Sequence, residues 1–186
     1  MQHLPFEQIR AGLPSIREAP TEVGSVDMIV CRPAVNAREL LDSATLDVAQ
    51  GLVGDTWKDR GSSRTSDNTP HPDMQLTLMG VRVISLLAGE KSRWPLAGDQ
   101  LFVDLDLSAA NLPAGTRLAI GSAVIEVTAQ PHTGCGKFVE RFGVDAMKFV
   151  NSPEGRALNL RGINARVVKR GEVRVGDTVS KARSSE

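Results

Sequence analysis

Apolar residues fall in short runs along this chain, and glycines and prolines punctuate nearly every run. Residues 26–31, Val-Asp-Met-Ile-Val-Cys, predict a first strand that Arg32-Pro33 ends. Residues 38–47 space their apolar positions unevenly and fit strand or helix equally. Residues 75–79 restart a strand, and residues 81–88 predict a short helix closed by Gly89. A turn-rich stretch over 94–100 leads to a strand at 101–105, and 112–116 reads as a turn. Residues 117–120 and 123–128 form a hairpin pattern across Gly121-Ser122. From 137 to 150 the period turns helical, with Val139, Phe142, Ala146, Phe149 and Val150 on one face and Gly143 placed to split it. Residues 153–156 read as a turn; strands follow at 165–169 and, after a turn at Gly171, at 172–175, and Gly176-Asp177-Thr178-Val179 closes the series.

Many short strands and few helices predict a mainly β, α+β fold: a bent-sheet β-barrel whose helices plug its ends or connect its edges. The organisation expected is an arm or loosely packed lead-in over residues 1–24, rich in Pro, Gly and charge, one domain over 25–182, and a tail over 183–186. Residues 55–73 form a long, almost wholly polar stretch, a length that is usually functional or disordered.

Composition narrows the setting. With 41% hydrophobic and 24% charged residues the chain reads as an ordinary globular domain, and its zero net charge supplies no field for nucleic acid or an anionic membrane. Any anion site must therefore be a local arginine cluster. Tyrosine is absent and aromatics total 4%, which argues against base stacking. The two distant cysteines predict reduced thiols and a cytoplasmic setting, and neither a signal-peptide pattern nor a membrane-spanning run is visible.

The chemistry centres on Cys135, in Pro131-His132-Thr133-Gly134-Cys135-Gly136-Lys137-Phe138. Flanking glycines leave the thiol uncovered, and a helix start offers unpaired N–H groups that favour a thiolate. Cys31 reads as an ordinary strand side chain. Phosphate-binding and dinucleotide-binding glycine loops, a Gly-x-Ser-x-Gly elbow and Cys-x-x-Cys pairs are all missing, which argues against the chemistries that need them. A Cys–His pair could use His132 or His71, and His71 could carry a metal with Asp73 or Asp55. Arg141, Arg161 and Arg166, with Lys137, are nearest to Cys135 in sequence and suit phosphate or carboxylate; Arg60 and Arg64 could close over the same site.

Taken in order, these pieces resemble a known family. Gly51-Leu52-Val53-Gly54-Asp55, Gln75-Leu76-Thr77-Leu78, Leu96-Ala97-Gly98-Asp99-Gln100-Leu101 and residues 112–121 come first. Ile125-Glu126-Val127-Thr128, Cys135, Arg141-Phe142-Gly143, Arg161 to Val167 and Gly176-Asp177-Thr178-Val179 complete the series. The chain is identified as a member of the MOSC domain family, named after the C-terminal domain of molybdenum cofactor sulfurase, over about residues 25–180. The resemblance implies a barrel similar to that of pyruvate kinase. It also implies a single cysteine, Cys135, that carries sulfur or ligates molybdenum of a pterin cofactor (molybdopterin), with reduction of N-hydroxylated compounds in some members. Arg60, Lys137, Arg141, Arg161, Arg166 and Asn164 are then the expected cofactor partners. No PLP, flavin or iron–sulfur motif is visible, so sulfur or electrons would come from a cysteine desulfurase-type donor or an electron-transfer protein. The chain departs from the family pattern at Trp57, where a histidine is usual, at Gly98-Asp99-Gln100 for Gly-Glu-Asn, and at Gly134 for a proline. Two other readings stand beside this one: a non-catalytic module for a small anionic ligand, and a Cys–His hydrolase.

Overall fold

The structure, a computed structural model, describes residues 3–182. Eleven strands follow in chain order: β1 (Val23–Cys31), β2 (Glu39–Leu41), β3 (Ser43–Asp47), β4 (Gly51–Leu52), β5 (Leu76–Gly80), β6 (Leu101–Asp104), β7 (Arg117–Ile120), β8 (Ala123–Val127), β9 (Ile163–Lys169), β10 (Gly171–Arg174) and β11 (Thr178–Lys181). The helices are α1 (Phe6–Ala11), α2 (Leu13–Arg17), α3 (Val81–Ala88), α4 (Gly136–Phe142), α5 (Val144–Asn151) and α6 (Pro153–Ala157). Among the described residues no helix is long and apolar enough to cross a membrane.

Seven strands close a barrel in the order β1-β11-β7-β8-β9-β5-β6 and back to β1, as expected from the strand pattern. Among the described strands only β5 and β6 run parallel, because α3 lies between them as the crossover. Closure depends on β1, the longest strand. Its first residues pair with β11, its middle with β6 across a register shift between Val26 and Met28, and its end with β2. A bulge of this kind bends a strand enough to join two sheet directions.

Alternation along the strands sends side chains to two cores. Leu78, Leu101 and Val103 point into the barrel, while their neighbours Met79 and Phe102 point outward beneath the helices. The inner core also takes Leu46, Leu52 and Val173 from the small sheet β10-β3-β4. The outer core is completed by Ile9, Ile84, Phe138, Phe142 and Phe149.

Several elements differ from expectation. Residues 38–47 resolve as β2 and β3, because pairing with β1 and β10 outweighs their uneven pattern. The expected turn at 153–156 is the helix α6, started by Ser152 Oγ accepting from Gly155 N–H. The helical stretch does break at Gly143, whose φ of +92° suits glycine, and the break leaves Phe138 rather than Val139 facing the core. The lead-in over 1–24 is not loosely packed where it is described. Ile9 is 1% exposed, Phe6 meets Phe149 edge-on at 6.4 Å, and Phe6 N–H donates to Asp145 Oδ2 at 3.2 Å. Tertiary packing, not local propensity, makes these short helices. Residues 1–2 and the tail 183–186 lie outside the described residues.

The packing of α1 gives a direct expectation. Ile9→Ala should lower stability by about 2–4 kcal/mol in urea unfolding, as for other large-to-small core changes. A loss below about 0.5 kcal/mol, the range of surface substitutions, would return this segment to the status of a loose arm.

Candidate functional site

The thiol sits on the loop that leaves β8 at one end of the barrel. Thr128 anchors this loop, with its N–H donating to Asn164 O at 3.0 Å and its hydroxyl to Asp73 O at 2.6 Å. Farther on, Gly134 N–H donates to Asn151 Oδ1 at 3.2 Å, and Asn151 in turn donates to Met147 Sδ at 3.2 Å. A Cβ at position 134 would collide with Met147 Sδ. The absence of a proline there is thus explained, since proline brings a side chain and removes the donor. Cys135 follows as the exposed N-cap residue of α4, with extended backbone.

Beside the thiol is a comb of arginines. Residues Lys91–Ala97 form a 3₁₀ helix, and such an end leaves carbonyls without helical partners. Four successive carbonyls there each take a different guanidinium. Arg38 Nε donates to Pro95 O at 3.2 Å and Arg141 Nη1 to Leu96 O at 2.6 Å; Arg161 Nη2 donates to Ala97 O at 2.8 Å and Arg32 Nη1 to Gly98 O at 2.9 Å. Two buried carboxylates complete the arrangement. Asp55 accepts both Arg32 Nε and Nη2, at 2.7 and 2.8 Å, together with the Arg32 and Trp57 N–H groups. Asp99 accepts Arg161 Nη1 at 2.7 Å.

These groups frame a cleft of ≈ 260 Å³ lined by Cys135, Arg32, Arg38, Arg60, Lys137 and Arg141. Among the described residues, five cations and no carboxylate line it. Burial pushes the Arg38 and Arg60 pKa values below the usual arginine range, and neighbouring guanidinium groups push them further the same way. Arginine stays protonated despite such shifts, so the cleft holds repelling charges that an anion would relieve.

Of the residues singled out in the sequence, Cys135, Arg60, Lys137 and Arg141 meet in this cleft. Arg161 lies behind it, buried on Asp99 with its guanidinium 5.0 Å from the Phe138 ring. Arg166 is on the surface, donating to Glu126 at 2.6 Å and Asp73 at 3.3 Å. Asn164 is fully buried and donates to Gln130 O. Arg64 donates to Gln130 Oε1 at 3.3 Å, tying the polar 55–73 stretch to the thiol loop. His71 Nδ1 accepts from Asp73 N–H and so serves a local turn, and among the described residues no group of three His, Cys, Asp or Glu could hold a metal. Cys31 is buried in β1, where burial raises its pKa. Arg32 and Arg38 were not among the residues singled out in the sequence. The available signal was Arg32 directly after a strand with Asp55 in the Gly-Asp motif, a pairing visible only once the chain is folded.

His132, the expected base of a Cys–His pair, does not line the cleft. Its side chain is 13% exposed, with Nδ1 3.5 Å from Asp99 Oδ1 and no aligned hydrogen bond among the described residues. Burial first, then the Arg161 guanidinium, push its pKa down to about 3, against a smaller upward pull from Asp99. A ring held so weakly basic is a poor general base near neutrality. The shift also has a stability consequence. Above the unfolded value of about 6.5 both states are neutral at this ring; as pH falls toward 3 the unfolded chain gains a proton that the folded chain refuses, so stability is lost through that window. Wild-type stability should therefore fall more steeply than that of His132→Gln between about pH 7 and 5 in urea titrations, and parallel profiles would contradict the buried neutral ring.

Comparison with known proteins agrees with this architecture. The fold is similar to the YuaD protein from Bacillus subtilis at 17% identity and a TM-score of 0.61, over 87% of this chain and 97% of that one. It is also similar to YiiM from Escherichia coli, at 19% identity and a TM-score of 0.56 over 86% of this chain and 70% of that one. YiiM from Geobacillus stearothermophilus gives 12% identity and a TM-score of 0.56 over 86% and 75%. At these identities the likeness is one of fold. No curated protein matches the chain. The family model described as the MOSC domain matches residues 86–180, just over half the chain and including Asp99, Cys135, Arg141 and Arg161. The chain belongs to the MOSC domain family.

Proposed function

We propose that this protein binds an anionic pterin-type molybdenum cofactor, or carries sulfur destined for it, with Cys135 as the reacting or ligating atom. The observation that supports the reading is the exposed thiol set in a cleft that, among the described residues, is lined by five cations and no acidic side chain. Such a donor set suits a phosphate-bearing ligand that also presents a soft centre to sulfur. Arg38, Arg60, Lys137 and Arg141 would hold the phosphate, and Cys135 Sγ would meet the metal or the sulfur. When bound, a molybdenum–pterin group supplies two-electron oxygen-atom chemistry.

The chain's own residues position the thiol. Asn151 and Met147 hold Gly134, and so set where Cys135 leaves the loop. In sulfur carriage the Cys135 thiolate attacks the outer sulfur of a donor persulfide. A new S–S bond forms, the donor's S–S bond breaks, and the donor leaves as a thiolate, with no net redox change. The donor is a desulfurase-type partner, and the cationic rim would also raise the encounter rate with an acidic one. A binding module without turnover would use the same cleft and differ only in lacking a chemical step after binding.

Expression in cells that make the cofactor, followed by metal analysis, tests the reading. Molybdenum should accompany the wild type and fall severalfold in Cys135→Ser. Where sulfur is carried instead, incubation with a cysteine desulfurase and cysteine should add the mass of one sulfur atom to the wild type and none to Cys135→Ser. Equal molybdenum in both proteins together with no mass change in either overturns the proposal.

A further inference from the structure

The Cys135 cleft continues past its cations. Arg60 lines it and also lines a neighbouring open pocket of ≈ 210 Å³, whose walls include Trp57, Pro70, His71 and Met74. Every lining residue of this pocket falls between positions 57 and 74, so the long polar stretch of the sequence is what builds it. Among the described residues no carboxylate lines it. Thr56 faces the cleft and Trp57 faces the pocket, so the two spaces adjoin along the backbone as well as across Arg60.

The pocket is fixed in place before any ligand arrives. Trp57 is held at both ends: its backbone N–H donates to Asp55 Oδ1 at 2.9 Å, and its indole Nε1 donates to His71 O at 3.2 Å. With that donor satisfied inside the protein, the half-buried indole offers the pocket only its carbon framework and π face. The loop beyond folds onto itself. Thr65 Oγ1 donates to Thr69 O at 2.6 Å, and a Cβ at Gly61 would collide with Asn68. His71 Nδ1 accepts from the Asp73 N–H, which puts the ring proton of the neutral imidazole on Nε2 as a donor. A rigid aromatic wall costs a ligand little ordering entropy, and any flat ring can stack on it. The planar guanidinium of Arg60 suits both halves of such a ligand, since arginine grips phosphate and also stacks on rings.

We propose that the Trp57 pocket is a ring subsite of the Cys135 cleft, taking the flat aromatic part of a ligand whose phosphate the cleft cations hold, with Arg60 at the joint. The proposal rests on the reading of the cleft as an anion site. It makes Trp57, at a position where the family usually has histidine, a specificity-determining residue that selects phosphates carrying a ring.

Calorimetry on the full chain with inorganic phosphate, phenyl phosphate and guanosine monophosphate tests it, because the two esters set a ring at different distances from the phosphate. Inorganic phosphate reports on the cleft alone. At least one ester should bind about fivefold more tightly than phosphate or better, the lower end of ring stacking on an aromatic side chain. Trp57→Leu should abolish that gain and leave phosphate affinity unchanged, which also shows the cleft intact. Trp57→Phe keeps a flat face without the Nε1 donor and should retain part of the gain. Phosphate binding with no gain for either ester, or a gain that survives Trp57→Leu, would overturn the ring subsite and leave the anion reading standing. Should Trp57→Leu lose phosphate as well, Trp57→Phe decides: phosphate affinity kept with no gain for either ester counts against the subsite. No binding of phosphate or of either ester to the wild type would instead overturn the anion reading, and the subsite with it.

Discussion

Four guanidinium groups on four successive carbonyls, residues 95–98, are the interaction on which the site depends. Carbonyls at a 3₁₀ end need donors beyond the helix; Pro95 O also takes the Gly98 N–H at 3.1 Å, and arginine forks supply the other bonds while keeping further N–H groups to spare. Asp55 and Asp99 then neutralise only Arg32 and Arg161. Removing one partner of such a buried pair typically costs about 3–5 kcal/mol, because the remaining charge is stranded. The comb therefore does two things at once. It locks the end of β1, the start of the polar stretch and the 95–99 corner into one unit, and it leaves positive charge uncompensated on the side where Cys135 lies.

The barrel's role is to bring distant pieces of chain to that corner. Arg32 closes β1, Asp55 follows β4, Asp99 precedes β6, and Cys135 follows β8. Reactive loops held on a rigid scaffold are a common division of labour. Here α4 completes it, since Arg141 reaches Leu96 O from its last turn while Phe138 packs beneath the Arg161 guanidinium. The thiol is thus tied to the comb from both ends of a short helix. The Met147–Asn151 contact to Gly134 provides the third tie and takes the place of a proline.

Much of this was legible in the sequence, and the rest was not for identifiable reasons. The β7–β8 hairpin, α3 with Gly89, and the break at Gly143 announce themselves through local rules of alternation and backbone conformation. Residues 6–17 carry no such rule, because their helices exist through Ile9 and Phe6 burying against α3 and α5. Cys135 stood out because glycines flank it. Its arginine neighbours did not follow sequence distance: Arg166 is near in sequence yet engaged by Glu126, whereas Arg32 and Arg38 are about a hundred positions away and line the cleft. Contacts from a guanidinium to a backbone carbonyl have no residue-specific partner to search for, so the comb leaves almost no trace in one sequence.

The most direct test of this account is the affinity of the cleft for inorganic phosphate, measured by calorimetry at two salt concentrations. Arg60 and Lys137 line the cleft outside the comb and its buried pairs, with side chains that reach solvent although the cleft partly desolvates Arg60, so Arg60→Gln with Lys137→Gln should fold as the wild type does. The account predicts saturable phosphate binding that weakens with salt and drops at least about tenfold in the double variant, as expected for losing two charge-assisted contacts. Equal binding by the two proteins, or binding insensitive to salt, would contradict the central claim that uncompensated positive charge beside Cys135 is there to hold an anion.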